Sequence, residues 1–156
     1  MGRADTEFET IGLGDARRNK RAIRLVECLS AQPTASVPQA CGDWADTMAA
    51  YRFFDNEEVD WRAILGAHTD CVKTRVTRHE VVLCIQDTTE LDFNGQEPSG
   101  LGPLSYEAQH GMYAHPTYAV STSREPLGVL DAWMWARGLK EKDGSRPGIK
   151  ESVRWV

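Results

Sequence analysis

The feature that most limits how this chain can fold is a change of hydrophobic period near residue 79. Before it, apolar residues recur at helical spacing in runs that open on N-cap residues. After it, runs rich in β-branched and aromatic residues are separated by glycine and proline, which is the pattern of strands. The sequence therefore predicts an α+β chain with two domains, a helical domain over residues 1–78 and a sheet domain over residues 79–156.

Four segments of the helical domain carry helix start signals. Asp15 precedes a stripe of apolar residues, and Ser36 and Gln39 stand in capping-box positions for the next helix. A third helix is predicted around "DTMAAYRFF", and Asp60 opens a fourth. Four short helices with tight joints favour a small bundle, of which a helix-turn-helix variant is one form.

The sheet domain begins with three strand-like segments that fit an antiparallel meander, namely "VVLCIQDTTEL", "GMYAHPTYAVSTS" and "PLGVLDAWMWA". A helix is predicted at "IKESVRWV". By alternation, Asp87 falls on the same face of the first strand as Leu83 and Ile85, so we expect it to point toward the apolar side of the sheet. Burying a carboxylate alone costs several kcal/mol, so Asp87 needs a strong partner, a cation or a chemical role.

The composition of the chain restricts the cellular compartment and the classes of binding partner that we expect. No run of apolar residues has the length of a signal peptide or a membrane span, so we expect a cytoplasmic protein that does not bind membranes. The four cysteines are widely spaced without a metal-binding pattern and are expected to be reduced core thiols. The formal net charge of −5 argues against a surface that is basic throughout, but it permits a local basic face.

Five cations lie within eight residues of the first long helix: Arg17, Arg18, Lys20, Arg21 and Arg24. At about 100° per residue, all except Arg18 share an arc of roughly 100°, opposite the apolar side. Such a stripe can lie along DNA phosphates, and one of its arginines can read a guanine edge. A solvated helix face is the alternative. Asp15 is the only nearby counter-charge, which favours a polyanion as the partner.

Asp87 cannot hold a catalytic divalent ion by itself, because oxygen-rich sites for magnesium or manganese draw on more than one carboxylate. Glu90, Asp92 and Asp131 are the candidates for further ligands, and exposed strand-end charges are the plainer interpretation of these three. The residues alone leave Asp87 open between a metal ligand and a hydrogen-bonded cap at the end of a strand.

Six motifs occur in one order along the chain: "LGDARRNKR", "AAYRFF", "IQDTTELDF", "GMYAHPTYAV", "GVLDAWMWAR" and "KESVRW". In this order and spacing, residues 8–156 resemble the amino-terminal part of bacterial insertion-sequence transposases of the Tn-five type, members of the DDE group. The resemblance implies that the helical region recognises double-stranded DNA at the inverted-repeat ends of a transposon. It assigns DNA contacts to Arg17, Arg18, Arg21 and Arg52, with Arg21 as the first choice for a base contact.

For the second half, the resemblance implies the start of a ribonuclease-H-like mixed sheet. Asp87 matches the first of three catalytic acids, which would bind Mg²⁺ or Mn²⁺ for attack on a phosphodiester. The motifs that carry the other two acids do not occur in the sequence, so we expect DNA binding without a complete catalytic site. Two alternatives stay open. One is a non-catalytic truncated protein that associates with itself or with a full-length transposase, and the other is a stand-alone metal-dependent nuclease.

Overall fold

The structure is a computed structural model that describes residues 2–93, 95, 99–149 and 153. The chain divides into two compact units, Met1–Arg75 and Val76–Val156. Helices form the first and an antiparallel sheet forms the second, which confirms the predicted α+β class. The ribonuclease-H-like assignment stays a prediction. The helix expected at "IKESVRWV" and the "KES" motif lie outside the described residues, apart from Ile149 and Val153.

Five helices lie in the described part of the helical unit: α1 (Arg3–Glu7), α2 (Ala16–Ala31), α3 (Val37–Cys41), α4 (Trp44–Phe54) and α5 (Trp61–Val76). The last four correspond to the predicted helices, and α1 is additional. Their starts follow the expected chemistry, because Asp15 accepts the N–H of Arg17 and a capping box joins Ser36 to Gln39. Gly42 ends α3 in the left-handed region, with φ of 80°, which favours glycine.

The helical unit closes a core of its own. Its buried cluster comprises Phe8, Ile11, Leu13, Ala22, Leu25, Cys41, Ala50, Phe53 and Ala67. The buried residues of α2 are Ala22, Leu25 and Cys28, all on one face of that helix. Because this face is fixed against the core, the polar face of α2 is turned outward.

The sheet unit contains five strands in its described part: β1 (Val82–Gln86), β2 (Thr89–Asp92), β3 (Gly102–Pro103), β4 (His110–Ser121) and β5 (Pro126–Trp135). Each of the other strands pairs antiparallel with β4. Since β5 pairs with β4 across the stretches that also pair with β1 and β2, those two strands share the opposite edge of β4. The predicted meander is present as β1, β4 and β5.

The predicted first strand is broken into β1 and β2 at Asp87 and Thr88. Both pieces keep one register against β4, so the break lies opposite His115 and Pro116. Pro116 has no backbone N–H, which removes one hydrogen bond of the ladder at this point. Instead, the hydroxyl of Thr88 is hydrogen-bonded to Nδ1 of His115 at 2.7 Å.

The two faces of the sheet differ in how far their side chains are buried. One face buries Tyr113, His115 and Ala119 of β4, and the guanidinium of Arg137 lies 4.3 Å from the centre of the Tyr113 ring. The other, which we call the open face, exposes Leu83, Ile85, Leu91, Tyr118 and Met134. Cross-strand register places these five residues on one side of the sheet.

Asp87 lies on the apolar side of its strand, as expected, but that side is not buried. Its neighbours Leu83 and Ile85 are 51% and 52% exposed, and Asp87 is exposed as well. The alternation of apolar residues identified the face correctly but not its environment. The core thiol prediction holds for Cys28 and Cys41, which are buried, and fails for Cys84, which is exposed on β1.

Candidate nucleic-acid interface

The cations of α2 lie on the side of the helix that the core leaves exposed. Arg17 and Lys20 are exposed, and neither forms an ion pair with another described residue of the chain. The carboxylate of Asp15 accepts the backbone N–H of Arg17 at 2.6 Å, which fixes the first turn of α2. The start of this helix therefore presents two exposed side-chain cations that form no ion pair within the described part of the chain.

Two further cations of α2 converge on one carboxylate of α4. Nη1 of Arg21 donates to Oδ1 of Asp46 at 2.7 Å, while Nε and Nη2 of Arg24 lie 3.4 and 3.3 Å from its Oδ2. We call Arg21, Arg24 and Asp46 the arginine clamp. The hydrogen bond from Arg21 is the main reason that the pKa of Asp46 is lowered from its ordinary value, with Arg24 adding to the effect.

Arg18 is held apart from the other cations of α2. Its Nη2 lies 2.6 Å from a carboxylate oxygen of Glu58, and its side chain is only 23% exposed. A guanidinium that is mostly covered and paired has few donors left for a ligand. The structure therefore places Arg18 at the edge of the basic stripe, in agreement with its position outside the shared arc.

The expectation that Asp15 is the only counter-charge near the stripe is wrong. The fold brings Asp46 to Arg21 across 25 positions of sequence and Glu58 to Arg18 across 40 positions. The composition around α2 gives no sign of either pairing, because both acids come from later segments. The stripe is thus reduced to two unpaired cations, one clamped pair and one covered arginine.

Arg52 lies on the exposed side of α4, about 120° around the helix from Asp46. Three aromatic side chains of α4 are also exposed, with Trp44 at 77%, Tyr51 at 48% and Phe54 at 54%. Sequence reasoning did not single out this aromatic set. The signal in the sequence is the spacing of seven residues, about two helical turns, which places Trp44 and Tyr51 on one side of α4. The buried residues of this helix are Thr47, Ala50 and Phe53.

Asp87 occupies the gap between β1 and β2, where its Oδ1 accepts the backbone N–H of Thr88 at 2.8 Å. By alternation, the three carboxylates proposed as partners lie on the opposite side of the sheet. Two of them hold the loop before β4, since Glu90 accepts the N–H of Ser105 and Asp92 accepts Nε2 of Gln109, each at 3.0 Å.

The structure does not bring Asp87 together with Glu90, Asp92 or Asp131. In the parts of the chain that the structure describes, no group of three histidine, cysteine or acidic side chains is arranged to hold a metal ion. The described residues therefore do not by themselves make a site for the Mg²⁺ or Mn²⁺ that the resemblance implies.

Residues 1–59 match a family model described as transposase DNA-binding. The matched segment contains α1 to α4 and all six cations predicted to contact DNA, whereas the sheet unit lies outside it. The amino-terminal region of the chain is thus supported as that of a transposase, with DNA as its partner. Among the described residues, no helix combines the length and apolar composition needed to cross a membrane.

Proposed function

We propose that the helical unit binds double-stranded DNA at the inverted-repeat ends of a transposon, and that α2 is the element that contacts the duplex. The observation that supports this most directly is the exposed pair of Arg17 and Lys20, which lies inside the matched transposase segment and forms no ion pair with another described residue. Unpaired cations on one helix face are suited to phosphates, because binding releases the counterions of the duplex.

The remaining arginines of α2 have different proposed roles in DNA binding. Arg21 is anchored to Asp46 through one nitrogen, so most donors of its planar fork are available to the acceptor edge of a guanine. Arg24, whose side chain is 54% exposed, shares the carboxylate of Asp46 and is proposed to contribute less to phosphate binding than Arg17 and Lys20. Arg18 contributes less, because Glu58 occupies it and most of its surface is covered.

On α4, we propose that Arg52 adds a phosphate contact beside the exposed aromatic set. Trp44 and Tyr51 present flat apolar surfaces to solvent, and such surfaces can pack against sugars or the methyl group of thymine. This would extend the interface from α2 to α4.

For the sheet unit, we propose a ribonuclease-H-like domain of the DDE type in which Asp87 is the first acid. Its exposed carboxylate at a break in the strand is accessible to a ligand. Because no group of three such ligands is found among the described residues, any Mg²⁺ or Mn²⁺ bound at Asp87 would need ligands beyond them. The proposed function places the protein in the bacterial cytoplasm, with the nucleoid.

The open face favours a second candidate function, which is association with another copy of the chain or with a full-length transposase. Five large apolar side chains exposed on one side of a sheet are typical of a surface that a partner covers. Sedimentation of the purified chain over a range of concentrations tests this candidate, and a monomer at every concentration would count against self-association.

The DNA-binding proposal is tested with the double variant Arg17→Ala/Lys20→Ala and a short mixed-sequence duplex. Two lost phosphate contacts are expected to reduce the slope of log affinity against log salt by about 2. The matched control is Arg62→Ala/Lys73→Ala, which removes two cations from α5, outside the segment that matches the transposase family. If the two double variants bind equally well, α2 is not the contact surface.

A further inference from the structure

We propose that Asp46 is a specificity-determining residue of the DNA interface, which restrains Arg21 and Arg24 so that they add little to sequence-independent binding. The inference rests on the proposed function of α2. It concerns a carboxylate that is expected to touch no DNA itself and to act through the two arginines that it holds.

The clamp joins two helices through a single side chain. Asp46 belongs to α4, and its carboxylate is 24% exposed in its side chain, less than the 33% of Arg21 and the 54% of Arg24. Each carboxylate oxygen serves one arginine. One negative charge is thus placed between two positive charges of the face that is proposed to meet the duplex.

A role in capping α4 does not account for this carboxylate. The N-cap of α4 is Asp43, whose Oδ1 accepts the backbone N–H of Asp46 at 2.7 Å. Asp46 lies in the first turn, where an acid interacts favourably with the helix dipole, but any acid pointing to solvent would do the same. Its orientation toward α2 is the feature that needs an explanation.

The clamp has opposite effects on the two kinds of DNA contact. It neutralises one of two charges and fixes both guanidiniums, which lowers the electrostatic attraction to any phosphate. At the same time it restricts the directions in which Arg21 can donate, and a fixed fork is what bidentate recognition of guanine requires. Asp46 therefore reduces binding to arbitrary sequence more than binding to the preferred sequence.

The test replaces the carboxylate by an amide of the same shape. Asp46→Asn is expected to bind a short mixed-sequence duplex several-fold more tightly, with a salt slope steeper by about 1 to 2 as the released arginines reach phosphates. The ratio of affinities for a duplex selected by the wild-type chain from a random library and for the mixed-sequence duplex is expected to fall.

Glu57→Gln is the matched control for net charge. Glu57 is exposed and forms no ion pair with another described residue, so its change is expected to alter the affinity less than about twofold. If Asp46→Asn behaves like Glu57→Gln in affinity, salt slope and selectivity, the inference is wrong. Thermal unfolding followed by circular dichroism checks that both variants are folded at the assay temperature.

A second arm keeps the inference testable if Asp46→Asn loses stability. When Arg21 and Arg24 are both changed to Gln, adding Asp46→Asn should no longer tighten binding, because no cations remain to be released. An equal gain in this background would overturn the proposed route through the arginines. The inference fails separately from the proposed function: in that case Arg17→Ala/Lys20→Ala still weakens binding, while Asp46→Asn has no effect of its own.

Discussion

The two units treat their apolar residues in different ways. The helical unit buries the apolar stripe of α2 in its core and leaves Leu25 at 4% exposure, whereas the sheet unit leaves Leu83 of the open face at 51%. Both leucines fit the apolar period of their own element. The comparison teaches that a regular pattern specifies which residues share a face, while burial depends on whether another element covers that face.

Two acids, one from each unit, also differ in how they are paired. In the helical unit, Glu7 accepts two hydrogen bonds from the guanidinium of Arg75, at 2.7 and 2.8 Å, and lies 2.6 Å from Nδ1 of His68. In the sheet unit, Asp87 binds only a neighbouring backbone N–H within the described contacts. Glu7 therefore connects distant segments of its unit, while Asp87 remains accessible.

The largest expected effect compares the two leucines directly. Leu25→Ala removes buried side-chain volume from the helical core and is expected to cost about 3 kcal/mol of unfolding free energy. Leu83→Ala, the same chemical change on the open face, is expected to cost less than about 1 kcal/mol. Urea denaturation followed by circular dichroism measures both. Equal losses would mean that the open face is covered in solution.

An intermediate effect is expected for Glu7→Gln, at about 2 kcal/mol near neutral pH, because Arg75 loses a charged acceptor. The hydrogen bond from Arg75 is the main cause that lowers the pKa of Glu7 from its ordinary value of 4.5. The stabilisation by a carboxylate with a lowered pKa is complete above the pKa of the unfolded chain and is lost as the pH falls through the folded pKa.

The stability difference between the wild-type chain and Glu7→Gln should therefore shrink as the pH is lowered below 4.5. Glu9→Gln is the control, since Glu9 is exposed two residues away and removes the same charge. Denaturation midpoints measured across acid pH distinguish the two variants. A difference that stays constant over this range would contradict the ion pair as the source of the stabilisation.

Local chemistry predicted much of the fold from the sequence. The caps at Asp15 and Ser36 set helix starts that the structure confirms, and the antiparallel strands were visible as β-branched runs. The break at Asp87 was not predicted, because its cause is Pro116 on a partner strand nearly thirty positions later. A single strand read by itself does not show which partner residue lacks a donor.

The candidate interface was predicted in composition but not in its electrostatics. The stripe on α2 follows from helical spacing alone. Asp46 and Glu58 offset part of the positive charge of this stripe. Both acids come from later segments that lie next to α2 in the fold, and distance along the sequence does not reveal this proximity. The alternation of the strand assigns Asp87 to a face of the sheet. Whether Asp87 is exposed depends instead on whether other residues pack on that face, and in the described structure it is exposed.

The smallest expected effect concerns the break in the strand. Thr88→Val keeps the shape of the side chain but removes the hydroxyl that is hydrogen-bonded to Nδ1 of His115, whose side chain is buried. The expected cost is about 1 kcal/mol, which is typical of one lost hydrogen bond to a buried polar atom. Thr88→Ser is the matched control, because it retains the hydroxyl and should cost less. Hydrogen exchange of the β4 amides measures the change locally. If Thr88→Val and Thr88→Ser have the same effect, the hydroxyl does not hold the two strands together where Pro116 interrupts the ladder. Another contact must then stabilise the break at which Asp87 is exposed.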